Sequence, residues 1–441
     1  MRGNYENTIF ALASPSGRAG IAVIRISGTR AAAALEAVVG FVPEPRFARR
    51  ARFRDPETAE TLDEGLVLFF PAPRSFTGED VAELHLHGSR AVIDGILAVL
   101  GRLPGLRLAE PGEFTRRAFE NGKFDLTAVE GIADLVAAET AAQRRQALRQ
   151  LEGEIGRIYE GWRERLLRAL AYAEADIDFS EEDLGGGIAE TVRAVVSPIL
   201  HEIEDHLADN RRGEILRDGV SIVILGPPNA GKSSLLNALA RREVAITSTI
   251  AGTTRDVIET HLDLGGYPAI VADTAGLRES ADPLEQEGIR RAKARAETAD
   301  LRLFVFDAGE AAAVAGMYDR ADPDTLVVAN KIDLLGEGAA LPEGALPLSL
   351  RSGAGLPALL GALEAAVRRK LEGAPPTVTR ARHREALLDC AECLRRALEA
   401  VLPELAAEDL RLATRALGRV TGKVDVEELL DVIFRDFCIG K

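Results

Sequence analysis

Gly226-Pro227-Pro228-Asn229-Ala230-Gly231-Lys232-Ser233-Ser234 sets a lysine and two hydroxyls behind a glycine-bounded turn. The turn lies between an apolar run, VSIVIL, and a helical one, LLNALA. In such a turn backbone N–H groups face inward on phosphate oxygens, and the following helix presents its positive dipole end. Lys232 is placed to reach the β- and γ-phosphates as a point charge, and Ser233 to ligate magnesium. Further along, Asp273-Thr274-Ala275-Gly276 closes the run YPAIVAD; its carboxylate can hold a magnesium-bound water, and the Gly276 N–H can reach a γ-phosphate. Thr253 and Thr254, within Ser248-Thr249-Ile250-Ala251-Gly252-Thr253-Thr254, stand where a switch threonine would complete the magnesium shell. Asn330-Lys331-Ile332-Asp333 follows TLVVAN, and the Asp333 carboxylate is an acceptor-only group suited to the two N–H donors of a guanine edge. Ser349-Leu350-Arg351 sits where a loop supporting the base belongs. These spaced elements, in this order, predict a site for GTP rather than ATP.

The elements that must carry these groups follow from periodicity and punctuation. VSIVIL, YPAIVAD, LRLFVFD and TLVVAN are short β-rich runs separated by helical segments, which predicts a parallel sheet with βαβ crossovers over 218–373. Residues 1–118 mix IAVIRI and GLVLFF, read as strands, with VIDGILAVL, read as a buried helix, and predict an α+β domain. Over 119–217 strand signals vanish and Ala-, Leu- and Arg-rich stretches carry helical spacing; the same style returns over 374–441. The economical reading is one all-α domain in two pieces with an α/β domain inserted. Two independent helical domains are the other reading of the same pattern.

Composition limits the class. The chain has 441 residues, enough for about three domains. With 46% hydrophobic and 28% charged residues it can bury cores, which excludes disordered and fibrous classes. No stretch reaches the roughly 18 to 20 apolar residues of a membrane span, the N-terminus lacks the pattern of a secretory signal, and three cysteines make no disulfide framework. Together these predict a cytoplasmic protein without a membrane association. A net charge of −15 argues against a general nucleic-acid coat, so RNA contact must come from a local patch. Arginine is the default cation, with seven lysines against 47 arginines, and two of those lysines, Lys232 and Lys331, fall in the nucleotide motifs.

GPPNAGKSSL, TIAGTTRD, DTAGLRES and NKID together resemble the MnmE (TrmE) family of tRNA-modification GTPases. So do SPSGRAGIAVIRISG, SFTGEDVAELHLHG and PGEFTRRAFENGKFDL near the N-terminus, DIDFSEEDL in the first helical stretch, and the terminal FCIGK. The likeness therefore runs along the whole chain. It implies a tetrahydrofolate-binding N-terminal domain that also dimerises, a helical domain in two pieces, and a G domain between them. It also implies homodimers that act with the flavoprotein MnmG to place an aminomethyl or carboxymethylaminomethyl group on the wobble uridine of certain tRNAs. Carried over by motif, Arg25, Glu83, Lys123 and Lys441 would bind 5-formyl-tetrahydrofolate or a related folate, whose glutamate tail wants cations and whose pterin edge wants a carboxylate. Cys438 would lie near the folate, and the resemblance implies a catalytic part for it in the modification chemistry. Cys390 and Cys393 form a C-x-x-C on a helical stretch with no second pair, which reads as packing. Asn7 stands where the family commonly has aspartate, Pro227 where arginine is common, and Leu350 where alanine is usual.

The position after Asp273-Thr-Ala-Gly276 is Leu277, which cannot orient water as the glutamine of Ras-like proteins does. Glu285 is the acid best placed to act through a water relay. Asn229 can turn an amide oxygen to a monovalent cation, and the resemblance implies potassium there, held also by Ser248, Ile250 and Thr253, with two G domains paired across it. Two rival readings remain at this stage: a GTPase of ribosome assembly, and a folate-binding scaffold whose GTPase times partner binding.

Overall fold

In the computed structural model the described residues are 7–15, 17–178, 188–242, 244–246, 259–273, 299–314, 317, 322–336, 340–373, 378–424, 430, 433, 434, 437 and 440. The chain divides into two compact units, one of 1–133, 150–168 and 411–441, the other of 134–149 and 169–410.

The first unit begins with β1 (Thr8–Leu12), β2 (Ala19–Ser27), α1 (Ala31–Val39), β3 (Arg49–Arg54), β4 (Thr61–Phe70), β5 (Val81–Gly88), α2 (Arg90–Arg102) and β6 (Leu106–Leu108). They build a six-stranded sheet in the order β3-β4-β5-β2-β1-β6. Alternate residues of β2, Ala22, Ile24 and Ile26, are buried, and Ile24 and Ile26 join Leu35, Val38, Ile96 and Leu100 of α1 and α2 in one core. That alternation sends Arg25 to the opposite face. The runs read as strands and as a helix from sequence are β2, β4 and α2; β1, β3, β5 and β6 were not marked by runs of apolar residues. Helices α3 (Glu113–Glu120), α4 (Leu126–Ala137), α5 (Ala141–Leu151), α6 (Glu154–Asp178), α7 (Ile188–Leu207) and α8 (Arg212–Asp218) follow without a strand among the described residues. In the first unit Leu126, Val129 and Ile132 of α4 pack with Leu430, Phe434 and Phe437 in one core.

The second unit holds β7 (Val220–Leu225), α9 (Lys232–Ala240), β8 (Glu259–Leu264), β9 (Tyr267–Asp273), β10 (Leu301–Asp307), β11 (Thr325–Asn330), β12 (Leu346–Pro347) and α10 (Leu356–Leu371). Helices α11 (Ala381–Glu399) and α12 (Pro403–Thr421) come last. The sheet order is β12-β11-β10-β7-β9-β8, parallel except that β8 runs antiparallel to β9. The exception has a local cause. Gly265 and Gly266, at φ +64° and +88°, form a two-residue turn, and glycine takes positive φ at little cost where a crossover would need a dozen residues or more. Buried Val220, Ile222 and Ile224 of β7 pack with Leu235, Leu236 and Leu239 of α9 and with Leu359 and Leu363 of α10. This core holds β7 and α9 at the angle that the loop between them must bridge.

Candidate functional site

The glycine turn opens where β7 leaves the sheet. Gly226 has φ +137°, and a Cβ built on it would lie 1.9 Å from the Val305 carbonyl oxygen of neighbouring β10. Asn229 follows at φ +60°, a left-handed conformation that asparagine tolerates better than most residues. Gly231, at φ +99°, precedes the first turn of α9. Lys232 Nζ donates to the carbonyls of Gly226 and Pro227 at 2.9 and 2.8 Å, so the ammonium lies across the loop it belongs to. Ser233 and Ser234 are exposed on the first turn of α9, where backbone N–H groups have no intrahelical acceptor.

Asn330, at the C-terminal end of β11, is 2% exposed, and its Nδ2 donates to the Ala230 carbonyl at 2.8 Å. A Cβ on Gly231 would meet the same Nδ2 at 2.4 Å. The asparagine of the NKID motif therefore holds the back of the glycine turn, a hundred residues away in sequence. Its Oδ1 accepts no hydrogen bond among the described residues, a buried acceptor at the junction of the two motifs. Lys331, at φ +62°, pairs with Asp307 at 2.9 Å. The Lys331 ammonium and the Gly309 N–H hold the Asp307 carboxyl below the usual carboxylate range. Asp333 Oδ1 accepts from the Ser349 hydroxyl at 2.6 Å, and Ser349 is itself buried. Leu350 lies against Gly231, with Cδ1 3.6 Å from where a Cβ would stand. Asp273 ends β9, where its Cα is in register with Ile224 of β7, one strand from the turn. The described parts of four sequence-predicted elements therefore converge: Asn229 to Ser234, Asp273, Asn330 to Asp333, and Ser349 to Arg351. Ser248 to Thr254, Thr274 to Gly276 and Glu285 lie outside the described residues.

In the first unit, Arg25 on β2 and Glu83 on β5 are register partners, 58 residues apart in sequence. Arg25 Nη2 donates to Glu83 Oε1 at 3.0 Å, and His85 Nε2 stands 3.3 Å from Oε2. The His85 hydrogen bond, with the Arg25 guanidinium, outweighs burial and keeps the Glu83 carboxyl below its ordinary range. Rings of Phe76 and Phe114 lie 5.3 and 5.9 Å from the guanidinium carbon. Lys123 Nζ donates to the Pro73 carbonyl at 3.0 Å, bracing the loop that carries Phe76. Lys441 and Cys438 lie outside the described residues. Cys390 and Cys393 are buried on α11, and desolvation pushes both thiols up. Among the described residues no group of three or more His, Cys, Asp or Glu could hold a metal ion, and no helix is long and apolar enough to cross a membrane.

Sequence reasoning missed three contacts that organise the sites: Asn330 to Ala230, Lys331 to Asp307, and His85 to Glu83. The last had a signal, since residues two apart on a strand share a face. Asp307 had one too, as the residue ending LRLFVFD at the same edge as Asn330.

A strand, a glycine turn and a helix, with an Asn-Lys-x-Asp turn fastened to its back, define a P-loop nucleotide-binding protein. The family model described as "MnmE helical domain" matches residues 126–438, and that described as "GTP-binding protein TrmE N-terminus" matches residues 8–123. The tRNA modification GTPase MnmE of Parvibaculum lavamentivorans is 60% identical over 441 residues, covering 98% of this chain and 100% of the relative. Those of Paramagnetospirillum magneticum and Rhodospirillum rubrum are 58% and 55% identical, each over 99% of this chain, and over 100% and 99% of the relatives. The chain belongs to the MnmE family of tRNA modification GTPases. It is a GTP hydrolase acting in tRNA modification.

Proposed function

We propose that the chain is a potassium-dependent GTPase that works with the flavoprotein MnmG. Together they would add a carboxymethylaminomethyl or aminomethyl group to C5 of the wobble uridine of certain tRNAs. The observation that carries the GTPase part is the hydrogen bond from Asn330 to Ala230, which joins the glycine turn to the Asn-Lys-x-Asp turn. Domain roles follow the sequence reading: 1–118 for folate binding and dimerisation, 119–217 and 374–441 as the helical domain, 218–373 as the G domain. The reading places the protein in the cytoplasm as a homodimer.

The described residues fit the groups this activity requires. The buried Asn330 Oδ1, unpartnered among the described residues, and the close packing of Gly226 on Val305 and of Gly231 on Asn330 support a nucleotide position at this turn. Lys232 would hold the β- and γ-phosphates, and Asp333 the guanine edge. Ser233 and Thr254 would hold magnesium, which when bound offsets phosphate charge. Asn229, Ser248, Ile250 and Thr253 would hold potassium, which when bound supplies positive charge where no arginine is assured. Glu285 would orient the attacking water. In the first unit, Glu83 is kept ionised beside Arg25, as an acceptor for a pterin edge requires, and Lys123 with Lys441 would meet the glutamate tail. The folate supplies the one-carbon unit when bound, with Cys438 beside it.

One assay tests the hydrolytic part. GTP turnover at fixed ionic strength is expected to be at least about tenfold faster in potassium than in sodium. Glu285→Ala should bind GTP as before and turn over roughly a hundredfold more slowly. Equal rates in the two salts, or an unimpaired Glu285→Ala protein, would remove the corresponding assignment. The whole reading is tested by nucleoside analysis of tRNA from a deletion strain. Wobble uridines lacking the C5 substituent are expected, and their full retention would sink the proposal.

A further inference from the structure

The described surface contains one concentration of positive charge that the nucleotide and folate sites do not use. Arg46, Arg49, Arg50, Arg52 and Arg54 fall within nine residues, with no acidic residue among them, in a chain whose net charge is −15. All five are exposed. The strand that carries four of them, β3, is the edge of its sheet. Ala51 and Phe53 are buried in the core, so the pleat turns Arg50 and Arg52 outward on one face, about 6.8 Å apart along the strand. Arg54 follows beyond a bulge. The side chains of Arg50 and Arg52 are 77% and 63% exposed, and among the described residues the carboxylate paired with them is Glu64 of β4, at 2.9 and 3.7 Å. Arg49 and Arg46 are braced over the rings of Phe41 and Phe70, at 4.1 and 5.8 Å. Between them Phe47 is 62% exposed.

Charges on an edge strand also discourage edge-to-edge pairing, and arginines alone would be explained that way. An exposed phenylalanine among them is not, because it weakens such a guard. A second copy of this surface is a poor occupant, since it would set guanidinium against guanidinium. An anionic chain that also offers flat faces matches both features. Guanidinium forks match phosphate geometry, and aromatic rings take unstacked bases of single-stranded loops.

We propose that the β3 edge, with Phe47, is a docking surface for the tRNA substrate. The arginines meet its phosphate backbone and Phe47 stacks on a base of an unpaired segment. The proposal rests on the reading that this chain acts on tRNA.

The test is binding of the full-length protein to an unmodified tRNA transcript, by fluorescence anisotropy between 50 and 200 mM salt, roughly the range over which counterion release is readily measured. The triple variant Arg50→Ala, Arg52→Ala, Arg54→Ala is expected to bind at least about tenfold more weakly near 0.1 M salt, with a log–log salt slope shallower by about two to three. Phe47→Ala should weaken binding roughly fivefold or more and leave the slope alone. Glu64→Gln removes that neutralising carboxylate and should tighten binding about two- to fivefold, a gain that misfolding cannot produce. A triple variant with wild-type affinity and slope, or a Glu64→Gln protein that binds no more tightly, overturns the proposal. Wild-type protein that fails to bind tRNA at all overturns it together with the tRNA reading on which it rests.

Discussion

Asp333→Asn is expected to lower GTP affinity by roughly 10² to 10⁴-fold and to raise affinity for xanthosine triphosphate. One of the two hydrogen bonds that a carboxylate accepts from guanine N–H groups is replaced by a donor facing a donor, and the other loses its charged acceptor, changes worth about 3 to 6 kcal/mol together. The contact with Ser349 makes the direction of the change definite. Its hydroxyl donates to Asp333 Oδ1 at 2.6 Å, and an asparagine can keep that bond through its own oxygen. The amide nitrogen then takes the place of Oδ2 and offers a donor to the base. Xanthine presents a carbonyl there, and guanine presents an amino group that would clash with the donor. Competition of both triphosphates against a fluorescent nucleotide measures the switch. An Asp333→Asn protein that still prefers guanine would show that another group reads the base. Ser349→Ala supplies an internal comparison, with a smaller loss for GTP and no gain for the xanthine nucleotide.

The second large effect is expected from one methyl group. Gly226→Ala should cost about 2 to 4 kcal/mol of stability in the nucleotide-binding region and weaken GTP binding at least roughly a hundredfold. The added Cβ would stand 1.9 Å from the Val305 carbonyl oxygen, and Gly226 holds φ +137°, which L side chains rarely adopt. Neither side can yield cheaply. Val305 is buried in β10, whose pairing with β7 runs up to Leu225, the residue before the glycine. The turn must therefore move, and Lys232 loses the Gly226 and Pro227 carbonyls that now seat it. Gly361→Ala is the contrast: it lies in α10 with nothing within 4 Å of an added Cβ, and should be neutral or stabilising by up to about 1 kcal/mol. Urea unfolding and nucleotide titration of the two variants separate the outcomes. Wild-type nucleotide affinity in Gly226→Ala would show that the turn is not held against β10 in solution.

Features written in adjacent residues are legible without the fold. The glycine turn is strand, loop and helix in one continuous stretch, so residue types and spacing suffice to recognise it. The proposed reading of guanine by Asp333 rests on carboxylate chemistry in the same local way. The loss of strand signals after residue 119 marks the helices α4 to α8, because helix periodicity is a property of one segment. The basic run at 46–54 was equally open to reading, yet its edge position and its exposed Phe47 belong to the sheet order. The partners across elements come from the packing alone. Nothing local says that Asn330 supports Ala230, or that the Gly226 position is closed by Val305. Nor does anything local place Arg25 opposite Glu83. Each depends on strand order and register, and a slip of one residue would turn every side chain of a strand to the other face. Register is set by how two whole cores pack, the β7–α9–α10 core beneath the nucleotide turn and the α1–α2 core beneath β2. The chemistry was therefore legible in the residues, and its geometry had to wait for the packing.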